Sequence, residues 1–242
     1  MGLFGFGGGS AAKIDKLKKR ASNPYGQSID RQSAMKTLFD MGTPESYAGL
    51  LERYTMNTDV TITDQDEKRQ VYEWLVEAGE AACKPIEEFV ATHDGVYWPL
   101  RALKEIAGME RAVNALLAAL DRAETVEIRV NEQKAQLVSN LRDFPHPKIL
   151  ERLKLLCRDA NPEVRLKAID AAMTYGEAEA ASLVAERLLD PEETHSVRSV
   201  LFEQLVDHGW SLTPWKQQLE ELNVFPAHYK LGPNGALVRA AR

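Results

Sequence analysis

The stretch "NPEVRLKAIDAAMTYGEAEAASLVAERLL", Asn161 to Leu189, decides the fold. An Asn-Pro turn leads to Arg165, and an apolar stripe follows through Ala168, Ile169 and Ala172. Apolar residues at i, i+3, i+4 and i+7 lie on one face of a helix. Gly176 then ends that helix, because only glycine enters the left-handed conformation freely. Glu177 and Glu179 open a second helix and place acid at its positive end. The stretch therefore predicts a helical hairpin.

The hairpin recurs. Arg31 to Tyr54, "RQSAMKTLFDMGTPESYAGLLERY", overlays Arg165 to Leu188 without a gap. Arg31 meets Arg165, Gly42 meets Gly176, and Glu52-Arg53 meets Glu186-Arg187, always 134 residues apart. Arg198, Leu201, Phe202, Leu205 and Gly209 repeat the first half 33 residues after Arg165. Lys68, Val71, Tyr72, Leu75 and Gly79 take the same places. Two weaker copies follow, one around Gly108 and one in which Phe144-Pro145-His146-Pro147 replaces the Gly turn. One such hairpin cannot bury both of its faces, and stacked copies supply the missing core.

The pattern "D-x-N-P-E-V-R-x-x-A-I-x-A-A" at Asp159–Ala172, with "LLDPEETHSVRSVLFEQL" at Leu188–Leu205, resembles the HEAT repeat. The resemblance is to the bacterial type also seen in phycobilin-lyase-like proteins. It implies an all-α fold, a right-handed α-solenoid of about six helical hairpins under a ~40-residue period. It also implies a ladder between neighbouring repeats, here through Asp159, Arg165, Asp190 and Arg198. An anion site at those four residues is the functional alternative. The expected organisation is a flexible Gly-rich start and basic helix (1–22), the solenoid (23–222), and a C-terminal tail or cap (223–242). Two stretches, Thr55–Glu67 and Asp121–Gln133, are β-branched and interrupt the regularity. Each reads as a loop on the binding face or as a tolerated insertion.

Composition narrows the chemistry. The 242 residues are 44% hydrophobic and 27% charged, with a net charge of −6. Residues 1–20 carry five cations against Asp15 (+4), and residues 223–242 carry three cations and no acid (+3). The middle therefore holds −13, which disfavours nucleic acid, since phosphate needs a cationic surface. That argues against the DNA-glycosylase branch of the fold. The five histidines (93, 146, 195, 208 and 228) show no metal-binding spacing, and the two cysteines, Cys83 and Cys157, form no CxxC. "MGLFGFGGGS" lacks the GK[ST] step of a phosphate loop. No catalytic residue, cofactor or metal is expected, and Trp74, Trp98, Trp210 and Trp215 read as packing residues. No run reaches the ~18 apolar residues of a membrane span, and the start is not a secretory signal. The expected location is cytoplasmic.

The expected function is a non-enzymatic scaffold or adaptor binding another protein, through a basic or mixed-charge segment, on a concave face formed by the second helices. The candidate contacts are Glu52, Arg53, Glu87, Glu88, Asn114, Arg152 and Glu186, each polar and off the apolar stripe. One alternative is an enzyme on the same scaffold, a lyase or a glycosylase. Another is membrane recruitment through Leu3, Phe4, Phe6, Lys16, Lys18, Lys19 and Arg20, where aromatics precede a basic amphipathic stretch. Val224, Phe225 and Tyr229 are the expected anchors of a tail that folds back. The oligomeric state stays open.

Overall fold

A computed structural model describes the backbone of residues 7–125 and 130–240, and the side chains of residues 10–124 and 134–240. The fold is all-α and solenoid-like, with one small β-hairpin at its end. The chain forms two compact units, Met1–Glu127 and Ile128–Arg242.

In the first unit, α1 (Gly7–Ala21) precedes three hairpins: α2 (Ser28–Met41) with α3 (Pro44–Leu51), α4 (Thr61–Ala78) with α5 (Glu80–Val90), and α6 (Tyr97–Ala107) with α7 (Met109–Thr125). First helices pack on first helices (α2 on α4, α4 on α6), and second helices on second helices (α3 on α5, α5 on α7). The apolar stripe read from sequence is the core: Ala34, Met35, Leu38, Val71 and Leu75 are buried. A fully buried Leu or Ile contributes about 1.5–3 kcal/mol. Gly42 ends α2 at φ 63°, ψ 26°, and the next residue, Thr43, caps α3 by accepting from the Ser46 backbone N–H at 3.2 Å. The reciprocal bond from Thr43 N–H to Ser46 Oγ completes a capping box.

The second unit also holds three hairpins: α8 (Val130–Asn140) with α9 (Pro147–Leu156), α10 (Pro162–Ala172) with α11 (Glu177–Leu189), and α12 (His195–His208) with α13 (Lys216–Glu221). Asn161 caps α10 by accepting from the Glu163 N–H at 2.9 Å. Where the Gly turn is missing, the Tyr175 hydroxyl fixes the alternative: it accepts from the His146 N–H at 2.8 Å and donates to the His146 carbonyl at 2.9 Å.

Three expectations are corrected or sharpened. Thr55–Glu67 is not a long loop, because α4 already begins at Thr61. Asp121–Gln133 is not one either: α7 continues to Thr125 and α8 starts at Val130, and residues 126–129 lie outside the described residues. The tail is a cap. β1 (Tyr229–Leu231) and β2 (Leu237–Arg239) pair antiparallel, β2 packs on α12, and Phe202 of α12 meets Phe225 and Tyr229 at ring-centre distances of 5.8 and 5.3 Å.

Candidate functional site

Charged rungs join neighbouring hairpins. Arg165, in the first turn of α10, donates to the Asp159 and Ala160 carbonyls behind it and to both Glu193 oxygens ahead of it. Lys134 holds the equivalent place on α8 and pairs with Asp159. The ladder therefore runs from a first-helix cation to an acid in the next inter-repeat segment. Its acids are Asp159 and Glu193; Asp190 accepts from Arg187 instead, at 2.9 Å, and Arg198 donates to the Asp190 backbone carbonyl at 2.6 Å.

The first unit repeats the design. Arg31 donates to the Gly26 carbonyl at 2.5 Å, and its Nε and Nη2 reach Glu67 at 2.9 Å. Arg53 of the second-helix end reaches the same carboxylate at 2.8 Å and Asp64 at 2.7 Å. Lys68 also donates to Asp64, at 2.7 Å. Arg31, Arg53, Asp64 and Glu67 thus match Arg165, Arg187, Asp190 and Glu193. Burial pushes the Asp64 carboxyl up, but the hydrogen bonds from Lys68 and Arg53 outweigh it and hold it below the usual carboxylate range. Burial likewise raises Glu67, and Arg31, Ser28 and Arg53 together pull it below that range.

This placement corrects one expected contact. Arg53 is not a surface residue; its side chain is 0% exposed, because two carboxylates from the start of α4 wrap it. Glu52 is half-buried and bound at 2.7 Å by Lys18 of α1, the chain's own basic helix. Glu87 is drawn to Arg111 at 2.6 Å, while Glu88 is exposed and 3.8 Å from Lys84. Asn114 is exposed on α7, and Arg152 is half-buried on α9. Lys16, Lys19 and Arg20 are exposed on α1, with Lys19 paired to Asp15 and Arg20 to Asp30. Leu3, Phe4 and Phe6 lie outside the described residues. The tryptophans read as packing residues include Trp74, stacked on Phe39 at 5.5 Å, and Trp210, stacked on His208 at 4.6 Å.

Glu186 sits in a groove. Arg158 clasps it from the turn after α9, Nε at 2.6 Å and Nη2 at 3.1 Å, and this bidentate bond holds its carboxyl below the usual range. The groove runs between second helices α9 and α11, encloses about 340 Å³, and is lined by Leu150, Lys154, Ser182 and Leu183 around the ion pair. Arg158 and the groove were missed in sequence because nothing local joins α9 to α11. The Arg53 network had a readable signal: Asp64-Gln65-Asp66-Glu67 and Asp190-Pro191-Glu192-Glu193 both follow an aligned arginine.

Helical hairpins tied by buried cation–acid rungs define a helical-repeat protein. Within it, residues 131–205 match the family model for HEAT repeats. No curated protein and no solved structure matches the chain. Among the described residues, no helix is long and apolar enough to cross a membrane.

Proposed function

We propose that this protein is a non-enzymatic scaffold that binds another protein on its second-helix face, with the α9–α11 groove as the principal contact. The carrying observation is the Arg158–Glu186 pair, which lines one groove with Leu150 and Leu183 within the stretch that matches HEAT repeats. An oriented pair offers one donor and one acceptor group at fixed positions, beside an apolar floor. Little side-chain freedom then remains to be lost on binding. The fitting partner is a mixed-charge segment with an apolar anchor.

Two variants test this: Ser182→Trp, which fills the groove, and Glu186→Arg, which reverses its acid. Quantitative affinity purification from the source cell should lose the same co-purifying proteins from both, with the melting temperature of Ser182→Trp, at an exposed position, unchanged. Retention of every co-purifying protein by both variants sinks the proposal.

A further inference from the structure

The α9–α11 groove has a counterpart at the start of the chain. A groove of about 570 Å³ lies between α1 and α3, lined by Ala11, Ile14 and Asp15 from one helix and Glu45, Ala48 and Gly49 from the other. The 134-residue offset that relates the two hairpins puts Glu45, Ala48, Gly49 and Glu52 where α11 has Glu179, Ser182, Leu183 and Glu186. All eight line their grooves.

The ion pair is repeated as well. Lys18 of α1 reaches Glu52 at 2.7 Å, as Arg158 reaches Glu186 at 2.6 Å. In each groove the last lining residues of the two sides therefore pair. α1 packs on both α2 and α3, so it stands where a second helix would stand, with no first helix before it.

Two differences decide what this groove takes. Leu183 is replaced by Gly49, where an added Cβ would fall 3.2 Å from Leu38 Cδ2 and 3.5 Å from Ile14 Cγ2. Ile14 thus comes close against α3, and the apolar lining is Ala11, Ile14 and Ala48 instead of two leucines. The groove is also the larger of the two, about 570 Å³ against 340 Å³, which leaves room for an aromatic side chain.

The second difference is charge. Lys154 and Arg158 balance Glu179 and Glu186 in the α9–α11 groove. In the α1–α3 groove Asp15, Glu45 and Glu52 face Lys18 alone. Lys18 offsets Glu52, and Lys19, outside the lining, offsets Asp15 at 2.9 Å. Glu45 is exposed and pairs with no cation among the described residues. Arg20 is taken by Asp30 at 2.7 Å. Lys13 and Lys16 are exposed, but helical spacing puts them on the side of α1 away from Ala11, Ile14 and Lys18. The groove therefore offers one free carboxylate beside an apolar wall.

We infer that the α1–α3 groove is a second docking groove, taking a segment of another protein that carries an aromatic anchor beside an arginine or lysine. The ring sits on Ala11, Ile14 and Ala48, and the cation meets Glu45. The inference rests on the reading of second-helix grooves as binding surfaces, and it gives each of the two units one such groove.

The probe is a fluorescein-labelled peptide of Arg, Ser and Phe in repeat, about ten residues long, against the same peptide with Glu for Arg. The full chain should bind the Arg peptide about tenfold tighter. Ala48→Trp, which fills the groove from an exposed position, should weaken binding about fivefold or more, the scale of a lost anchor. Glu45→Gln should weaken it about threefold, the scale of one exposed ion pair. Glu77→Gln removes an equal charge from exposed α4 and should change nothing, which separates the groove from the net charge of −6. Circular dichroism should be the same for all three variants. Absence of binding, equal binding of the two peptides, unchanged affinity in Ala48→Trp, or equal losses in Glu45→Gln and Glu77→Gln overturns the inference. Loss in Ser182→Trp with Ala48→Trp unaffected places the peptide in the α9–α11 groove and overturns it too. The two grooves fail separately: retention of every co-purifying protein by Ser182→Trp and Glu186→Arg removes the α9–α11 reading and leaves the Ala48→Trp result standing.

Discussion

Arg53 Nε donates to Glu67 Oε2 at 2.8 Å, and neither side chain reaches solvent. Breaking such a pair by removing one partner leaves an uncompensated buried charge, which costs about 3–5 kcal/mol. Arg53→Ala should therefore destabilise the first unit by that order, read as lost amide-exchange protection across α2, α3 and α4. Arg187 is the counterpart, but its Nε has no hydrogen-bond partner among the described residues and its contact to Glu193 is 3.8 Å. Arg187→Ala should cost the second unit less. Equal losses would contradict the difference in pairing.

The same carboxylates set an acid limit. Asp64 and Glu67 are held below their ordinary values in the folded chain. A depressed folded value means the unfolded chain binds protons more readily, so the contribution is complete above the ordinary values near 4. It is lost as pH falls through the lower folded values. Exchange protection in α2 and α4 should hold level from about pH 7 to 5 and fall below about pH 4. Glu67→Gln should be weaker at neutral pH and show a shallower acid fall. An unchanged acid profile in that variant would remove Glu67 from the account.

The hairpins were legible because their causes are local. Gly42, Gly79, Gly108, Gly176 and Gly209 all take positive φ at the hairpin turns where the repeat pattern put them. The stripe Ala168, Ile169 and Ala172 needs only a period of 3.6 to be read as core. Arg53 was misplaced for the converse reason. A polar residue off the stripe reads as exposed unless its partners are known, and Asp64 and Glu67 lie 11 and 14 residues onward. Those partners sat in a β-branched stretch that looked like a loop. The α9–α11 groove was illegible for a related reason: Arg158 and Glu186 are 28 residues apart and meet only through stacking.

Both cysteines should be inert in the native chain. Burial pushes the Cys83 thiol up to about 11 and the Cys157 thiol up to about 12, and neither is exposed. Thiolate is the reactive form, so it is scarce at neutral pH and shielded as well. A disulfide-exchange reagent such as Ellman's should release little colour from the folded chain and two equivalents in strong denaturant. Rapid reaction of one thiol at neutral pH without denaturant would show that its helix opens readily.

The C-terminal cap depends on one glycine. Gly235 has φ 77°, a conformation that L side chains rarely adopt. A Cβ there would fall 2.1 Å from Thr213 Oγ1 and 2.9 Å from the Thr213 backbone nitrogen. The Gly235 carbonyl also accepts from the Leu212 N–H at 2.8 Å, and Ser211 bridges Ala236 beside it. Gly235→Ala must therefore move the hairpin away from the segment before α13. The hairpin covers the end of the stack through Tyr229 and Arg239, which both bond Glu203 of α12, and through Phe225 on Phe202. Lifting it exposes the last repeat, as an uncapped end of any stacked array would be. The expected result is early proteolysis after residues 223–240 and a lower melting temperature, with exchange protection in α2–α5 unchanged. Gly235→Asn tolerates positive φ better but still adds the Cβ. If Asn restores stability while Ala does not, backbone conformation is the main constraint; if both fail alike, the close approach to Thr213 is.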